Sequence, residues 1–193
     1  MKPEIDNNEE QVLINALTGG DESAFRQVIN KYRAPLIRLC RGFTGSADDA
    51  EDLAQEVFIE VFRSIKRFKS RSSLSTWIYR IAVNKSLNFI RDKKISYHHD
   101  PASAEDTDIS EGGDNSAEKR LIQSEHAAAL HKAIDSLPEG QRTAFVLSKY
   151  EEMTYAGIAE IMKTSVSSVE SLLFRAKRNL QDKLYDYYKE NLK

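Results

Sequence analysis

From Leu53 onward, apolar side chains return at Leu53, Ala54, Val57, Phe58, Val61, Phe62, Ile65 and Phe68. Steps of one, three and four that stay on one face are the period of an α-helix. Val12, Leu13, Ala16 and Leu17 mark an earlier helix, stopped at Gly19-Gly20. Phe25, Val28, Ile29, Tyr32, Leu36, Leu39, Cys40 and Phe43 mark the next, with Pro35 expected to bend it. Ser46 and Asp49 stand at capping-box spacing ahead of the Leu53 stripe. A fourth helix is expected over residues 76–94. No strand-like alternation, internal repeat or Gly-rich phosphate loop interrupts the pattern. The chain reads as all-α.

The period fails between Ser96 and Ala117, in SYHHDPASAEDTDISEGGDNSA. Acids, serines, Pro101 and Gly112-Gly113 cannot bury enough apolar area there to offset the entropy of ordering. The expected organisation is therefore a helical domain at 1–95, a flexible acidic linker at 96–118 and a second helical domain at 119–193. Leu121, Ile122, Leu130, Ile134 and Leu137 resume the order. Ser136 and Glu139 repeat the capping-box spacing, with Pro138 in the first turn.

Charge is distributed unevenly. Residues 59–95 hold ten Lys and Arg against two acids, whereas residues 96–138 hold three against nine. A basic block between acidic ones suits a phosphate backbone, although a solvated lysine-rich face is the commoner source of such a run. No apolar stretch approaches twenty residues and no basic-apolar leader opens the chain, so neither membrane insertion nor export is expected. Cys40 stands alone at an apolar helical position and is expected to pack in the core. One thiol makes no intrachain disulfide, which suits a reducing cytoplasm. His98-His99-Asp100 lacks a third metal ligand at useful spacing. No catalytic residue, metal or cofactor is expected.

Two segments carry chemistry. In TWIYRIAVNKSLNFIRDKK, Trp77, Arg80, Asn84, Asn88 and Arg91 form a narrow stripe between two apolar flanks. One flank holds Leu74, Ile78, Ile81 and Phe89; the other holds Val83, Leu87 and Ile90. Single-stranded bases need an aromatic to stack on, amides to bond and cations for phosphate, and this stripe with Phe68 has each. An aromatic at helical spacing is more often core, which applies most to Trp77. The second segment, MTYAGIAEIMKTSVSSVESLLFRAKRNLQDKL, reads as a helix-turn-helix. Thr154 caps its short first helix, KTS makes the turn and Ser165 caps the second. Val166, Val169, Leu173, Ala176 and Leu180 are expected to face inward. Ser165, Ser167, Ser168, Ser171, Phe174, Arg175 and Arg178 are the candidate duplex readers, with small polar groups for base edges and cations for phosphates.

Taken together, the two segments resemble the group 4, or extracytoplasmic-function (ECF), bacterial sigma factors of the sigma-70 family. DAEDLAQEVFIEVFRSIKRF resembles region 2.2, STWIYRIAVNKSLNFIR regions 2.3–2.4, and LPEGQRTAFVLSKYEEMTYAGIAEIMKTSVSSVESLLFRAKRNL region 4. The resemblance implies a promoter-specificity subunit that docks on core RNA polymerase through Asp52, Gln55 and Glu56. It implies a −10 element bound by Phe68, Trp77, Arg80, Asn84, Asn88 and Arg91, and a −35 element bound by the helix-turn-helix. It also implies an anti-sigma factor as partner. Departures are local. FKSRSSL stands where the family often has Phe-Arg-Gly-acid-Ser-Ser-Phe, so Ser70 replaces glycine, Arg71 the acid and Leu74 the second aromatic. Glu170 sits where relatives often carry arginine; an acid there repels phosphate but accepts from a cytosine amino group. Two other readings fit parts of the sequence: a stand-alone helix-turn-helix regulator whose first lobe binds a ligand or dimerises, which would not need DLAQE and the stripe, and, remotely, a metal-dependent hydrolase using His98, His99 and nearby acids.

Overall fold

The computed structural model describes residues 7–99 and 116–191. Among them are eight α-helices and one 3-10 turn, and no strand. The first lobe holds α1 (Asn7–Gly19), α2 (Glu22–Thr44), α3 (Ala47–Ser64), the 3-10 turn Ile65–Arg67 and α4 (Leu74–His99). The second holds α5 (Ser116–Asp135), α6 (Glu139–Tyr150), α7 (Tyr155–Met162) and α8 (Val166–Asn191).

Local chemistry sets the helix ends. The Asp21 carboxylate accepts from the Ser23 and Ala24 amides at the start of α2, and Gly45, at φ 73°, closes it. α2 passes through Pro35 as one helical element. Ser46 caps α3 by accepting from the Asp49 amide at 3.2 Å. The return arm of a capping box is replaced: the Ser46 amide donates to Thr44 Oγ1, and Asp49 pairs with Lys93 at 3.0 Å. α2, α3 and α4 pack on one another around Leu36, Leu39, Phe43, Val57 and Ile78, all fully buried. Each contributes about 1.5–3 kcal/mol relative to exposure. Cys40 lies in this core, its Sγ 3.9 Å from Ser86 Oγ, and burial raises the thiol pKa to about 11.

Several expectations are corrected. α4 continues to His99 and α5 begins at Ser116, so both helices enter the segment expected as linker. Once a helix is nucleated, each added residue gains a hydrogen bond, and polar residues alone do not stop it; Pro101 is the first strong breaker. Residues 100–115, the middle of the expected linker, lie outside those described. Ser136 does not cap α6, because its hydroxyl donates to Ala133 O at the end of α5. Pro138 takes the N-cap position instead. Phe62 is 61% exposed, and Val166 is exposed at the first residue of α8. In both cases the apolar stripe is wider than the neighbour that covers it.

The lobes are in contact. α2 packs against α6, and α4 against α7. Gly42, buried inside α2, faces Val146 and Tyr150 of α6.

Candidate nucleic-acid interface

α4 is held at its start by two caps. Ser73 Oγ accepts from the Thr76 amide at 3.1 Å, and the Glu10 carboxylate of α1 accepts from the Leu74 amide. Leu74, Ile78, Tyr79, Ala82, Val83 and Ser86 form its buried face. That orientation leaves Asn84, Asn88 and Arg91 exposed, with Trp77 and Arg80 half-buried. The Phe68 ring lies 5.0 Å from the Trp77 ring, centroid to centroid. The sequence stripe is therefore assembled on one side of the first lobe. In the loop before it, Ser70 has φ 47°, a left-handed backbone that glycine adopts more readily. The serine keeps the turn that a glycine would make there.

The stripe faces the second lobe. Arg80 Nη2 donates to Glu160 O at 2.7 Å and Nε to Ile161 O at 3.4 Å, both at the C-terminal end of α7. A cation suits the carbonyl-rich, negative end of a helix. Arg91 pairs with Glu139 at 3.7 Å. Arg80 and Asn84 line a cleft of about 260 Å³ whose far wall is Glu139, Gly140 and Ile161.

Beneath the seam lies a buried acid. Glu151, which ends α6, has a side chain only 2% exposed. Tyr79 Oη donates to it at 2.8 Å, and Arg38 Nε approaches it at 3.2 Å. Burial first, then the adjacent carboxylate, pushes the Tyr79 hydroxyl far above its ordinary pKa, so it remains a donor.

The helix-turn-helix has the expected joints. Thr154 Oγ1 accepts from the Gly157 amide at 3.2 Å and Ser165 Oγ from the Ser168 amide at 3.1 Å. Lys163, at φ 54°, turns the chain between them. Val169, Leu173, Ala176 and Leu180 are buried, while Ser167, Ser171, Phe174, Arg175 and Arg178 are exposed. Phe174 is 68% exposed. Arg175 Nε donates to Ser171 O at 3.2 Å, which lays the guanidinium back along the helix. Ser168 is half-buried and Ser165 engages the cap, so these two are the less available of the candidate readers.

These two surfaces coincide with two family matches: Sigma-70 region 2 over residues 28–95 and Sigma-70 region 4 over residues 127–180. The chain is 31% identical over 191 residues to the RNA polymerase sigma-H factor of Pseudomonas aeruginosa, covering 96% of this chain and 99% of that one. It belongs to the sigma-70 family of RNA polymerase sigma factors. The ECF RNA polymerase sigma-E factor of Haemophilus influenzae is 32% identical over 180 residues, covering 91% and 95% of the two chains. The sigma factor RpoE of Bartonella quintana, solved with the anti-sigma factor NepR, shares the fold. Its TM-score is 0.60 at 22% identity, with 83% of this chain and 96% of that one covered.

As an ECF sigma factor, the protein directs RNA polymerase to promoters for transcription initiation. Its region 2 match spans most of α2 through α4, and its region 4 match runs from α5 into α8. On α3 of this sigma factor, Asp52, Gln55 and Glu56 are all exposed, opposite buried Leu53 and Val57. Glu56 is engaged with Lys85 of α4 at 3.0 Å. Sequence reasoning missed Arg38, Gly42, Tyr79 and Glu151. Only Gly42 carried a signal, as a glycine inside a strongly apolar helix.

Proposed function

We propose that this sigma factor reads promoters with two separate surfaces. The α4 face with Phe68 takes an unpaired base of the −10 element: Asn84 and Asn88 bond its edge, the Phe68–Trp77 pair supplies the aromatic, and Arg80 and Arg91 hold flanking phosphates. The exposed face of α8 reads the −35 duplex through Ser167, Ser171, Phe174, Arg175 and Arg178, with Ser165 and Ser168 at its edge. Glu170, also exposed, faces that duplex as an acceptor for a cytosine amino group. Asp52, Gln55 and Glu56 dock on core polymerase. The protein works in the cytoplasm without catalytic chemistry of its own. No helix among the described residues is long and apolar enough to cross a membrane. An anti-sigma factor is a further partner, a proposal supported by the Bartonella quintana sigma factor solved with one.

The observation that carries this reading is the exposure of Asn84 and Asn88 on a helix whose other residues from Leu74 to Ile90 are buried or half-buried. A polar seam serving only the fold would have its amides satisfied inside the bundle. With reconstituted polymerase, Asn84→Ala should lower transcription from duplex promoters roughly tenfold, about one lost base contact. A pre-melted bubble template should restore only part of that loss. Normal transcription by both Asn84→Ala and Asn88→Ala would refute the −10 assignment.

A further inference from the structure

The first turn of α4 is not capped from its own neighbourhood alone. Ser73 Oγ serves the Thr76 amide, whereas the Leu74 amide, one of the donors a helix leaves unpaired at its start, is answered from α1. Its acceptor is Oε1 of half-buried Glu10, 64 positions earlier. Leu74 is only 1% exposed, so water is a poor substitute for that acceptor. The negative carboxylate also suits the positive end of the α4 dipole. α1 is seated by buried Ile14 and Leu17, and it packs on α2 and on the 3-10 turn Ile65–Arg67. Between that turn and Leu74 the chain carries Phe68, whose ring lies 5.0 Å from that of Trp77. α1 therefore holds both ends of the loop, one by packing and the other by a hydrogen bond. Within the loop Ser70 keeps a left-handed backbone at φ 47°. Such a conformation persists where its surroundings hold it.

We propose that Glu10 is a positioning residue for the −10 reader: by fixing where α4 begins, it sets the Phe68–Trp77 pair beside Asn84 and Asn88. The inference rests on the −10 assignment above and extends that reader to α1, which lies before the region 2 match at residues 28–95. Glu10 touches no base. Its carboxylate holds the Leu74 amide, Leu74 holds the end of the loop, and the loop holds the Phe68 ring against Trp77. Without the acceptor a buried amide is left unpaired, and the smallest rearrangement that pairs it with water is fraying of the first turn of α4. Fraying moves Trp77, whose own amide donates to Ser73 O at 3.1 Å. An unpaired base then meets an aromatic pair that is in place only part of the time. Its apparent affinity falls by that fraction. If Glu10 merely stabilised the fold, the surroundings of Trp77 and the affinity for DNA would not change while the molecule stayed folded.

The test uses the full chain, in which Trp77 is the only tryptophan. Its emission, read without DNA and well below the melting temperature, reports on the aromatic pair directly. Glu10→Ala should red-shift that emission and admit more acrylamide quenching. It should also weaken binding of a fluorescent single-stranded DNA oligonucleotide of random sequence by roughly tenfold, as if one molecule in ten kept the pair in place. Glu10→Gln keeps the accepting oxygen and should recover most of both. Unchanged emission from folded Glu10→Ala would overturn the proposal, and so would shifted emission with undiminished binding. Should Glu10→Ala fold poorly, hydrogen exchange at the Leu74 amide of the unaltered chain still decides. Slow exchange is expected there, and exchange as fast as at a frayed helix end would overturn the proposal. Phe68→Ala separates this result from the −10 reading. If Phe68→Ala binds the oligonucleotide as tightly as the unaltered chain, the −10 assignment of the pair has failed and the positioning role falls too, while the emission still reports whether Glu10 holds the pair. If Phe68→Ala binds weakly, adding Glu10→Ala should cost no more affinity; a further loss of the same size would mean that Glu10 acts elsewhere.

Discussion

The two surfaces proposed to read DNA are built from similar material and presented differently. On α8, Ser167, Ser171, Phe174 and Arg178 stand exposed, and Arg175 bonds only back to its own helix. On α4, Arg80 and Arg91 are tied to the other lobe. The difference follows what each must bind. A duplex offers its groove edges from outside, so its reader can be left open. A flipped base demands an unstacking energy of a few kcal/mol and a preformed pocket. On α4 the aromatic pair and two cations rest against neighbouring groups while the amides of Asn84 and Asn88 stay exposed.

The largest test of this contrast lies on the open side. Arg175→Ala should weaken −35-dependent transcription by roughly 1–3 kcal/mol if the arginine reads a base. If it holds only a phosphate, binding to all sequences falls alike and the salt slope drops by about one. Duplex binding at several salt concentrations tells the two losses apart. No loss of either kind would mean the recognition face is misassigned.

A smaller test compares backbone strain. Both regions hold a non-glycine residue in left-handed geometry, Ser70 before α4 and Lys163 after α7. Glycine removes the side-chain clash at either position, so Ser70→Gly and Lys163→Gly should each raise stability by about 0.5–1 kcal/mol in urea melts. A destabilised Ser70→Gly would show that the serine does more than shape the turn.

The smallest expected effect is one of pH. His131 packs over Gly45 where α5 meets the end of α2. Burial lowers its pKa, Arg41 lowers it further and Asp135 opposes both. The unfolded chain therefore binds a proton that the folded chain resists. Stability should decline as pH falls below about 6.5, the ordinary histidine value, down to the depressed folded value. His131→Gln should flatten that slope in thermal melts between pH 7 and pH 5.

The parts of this molecule legible in its sequence are those written in neighbouring residues. The Leu53 stripe, the Ser46, Thr154 and Ser165 caps, and the alignment of Asn84 with Asn88 all follow from spacings of three and four. Phe62 and Val166 misled because periodicity shows which face is apolar and not how far along it a neighbour reaches. Ser136 misled because a cap depends on where the helix begins, and a shift of two residues, to Pro138, reassigns it. The seam between the lobes was least legible. Gly42 and Val146 are about a hundred positions apart, and neither hints at the other until the chain has folded.

Cys40 brings a practical consequence. Oxidants and alkylating reagents attack an accessible thiolate, and this sulfur is fully buried with its proton held to about pH 11. With no other cysteine in the chain, the native fold offers peroxide no sulfur on which to form a sulfenic acid. Buried as it is, Cys40 is a packing residue of the native fold rather than a reactive thiol. Maleimide labels placed at engineered surface cysteines will therefore report on those positions alone.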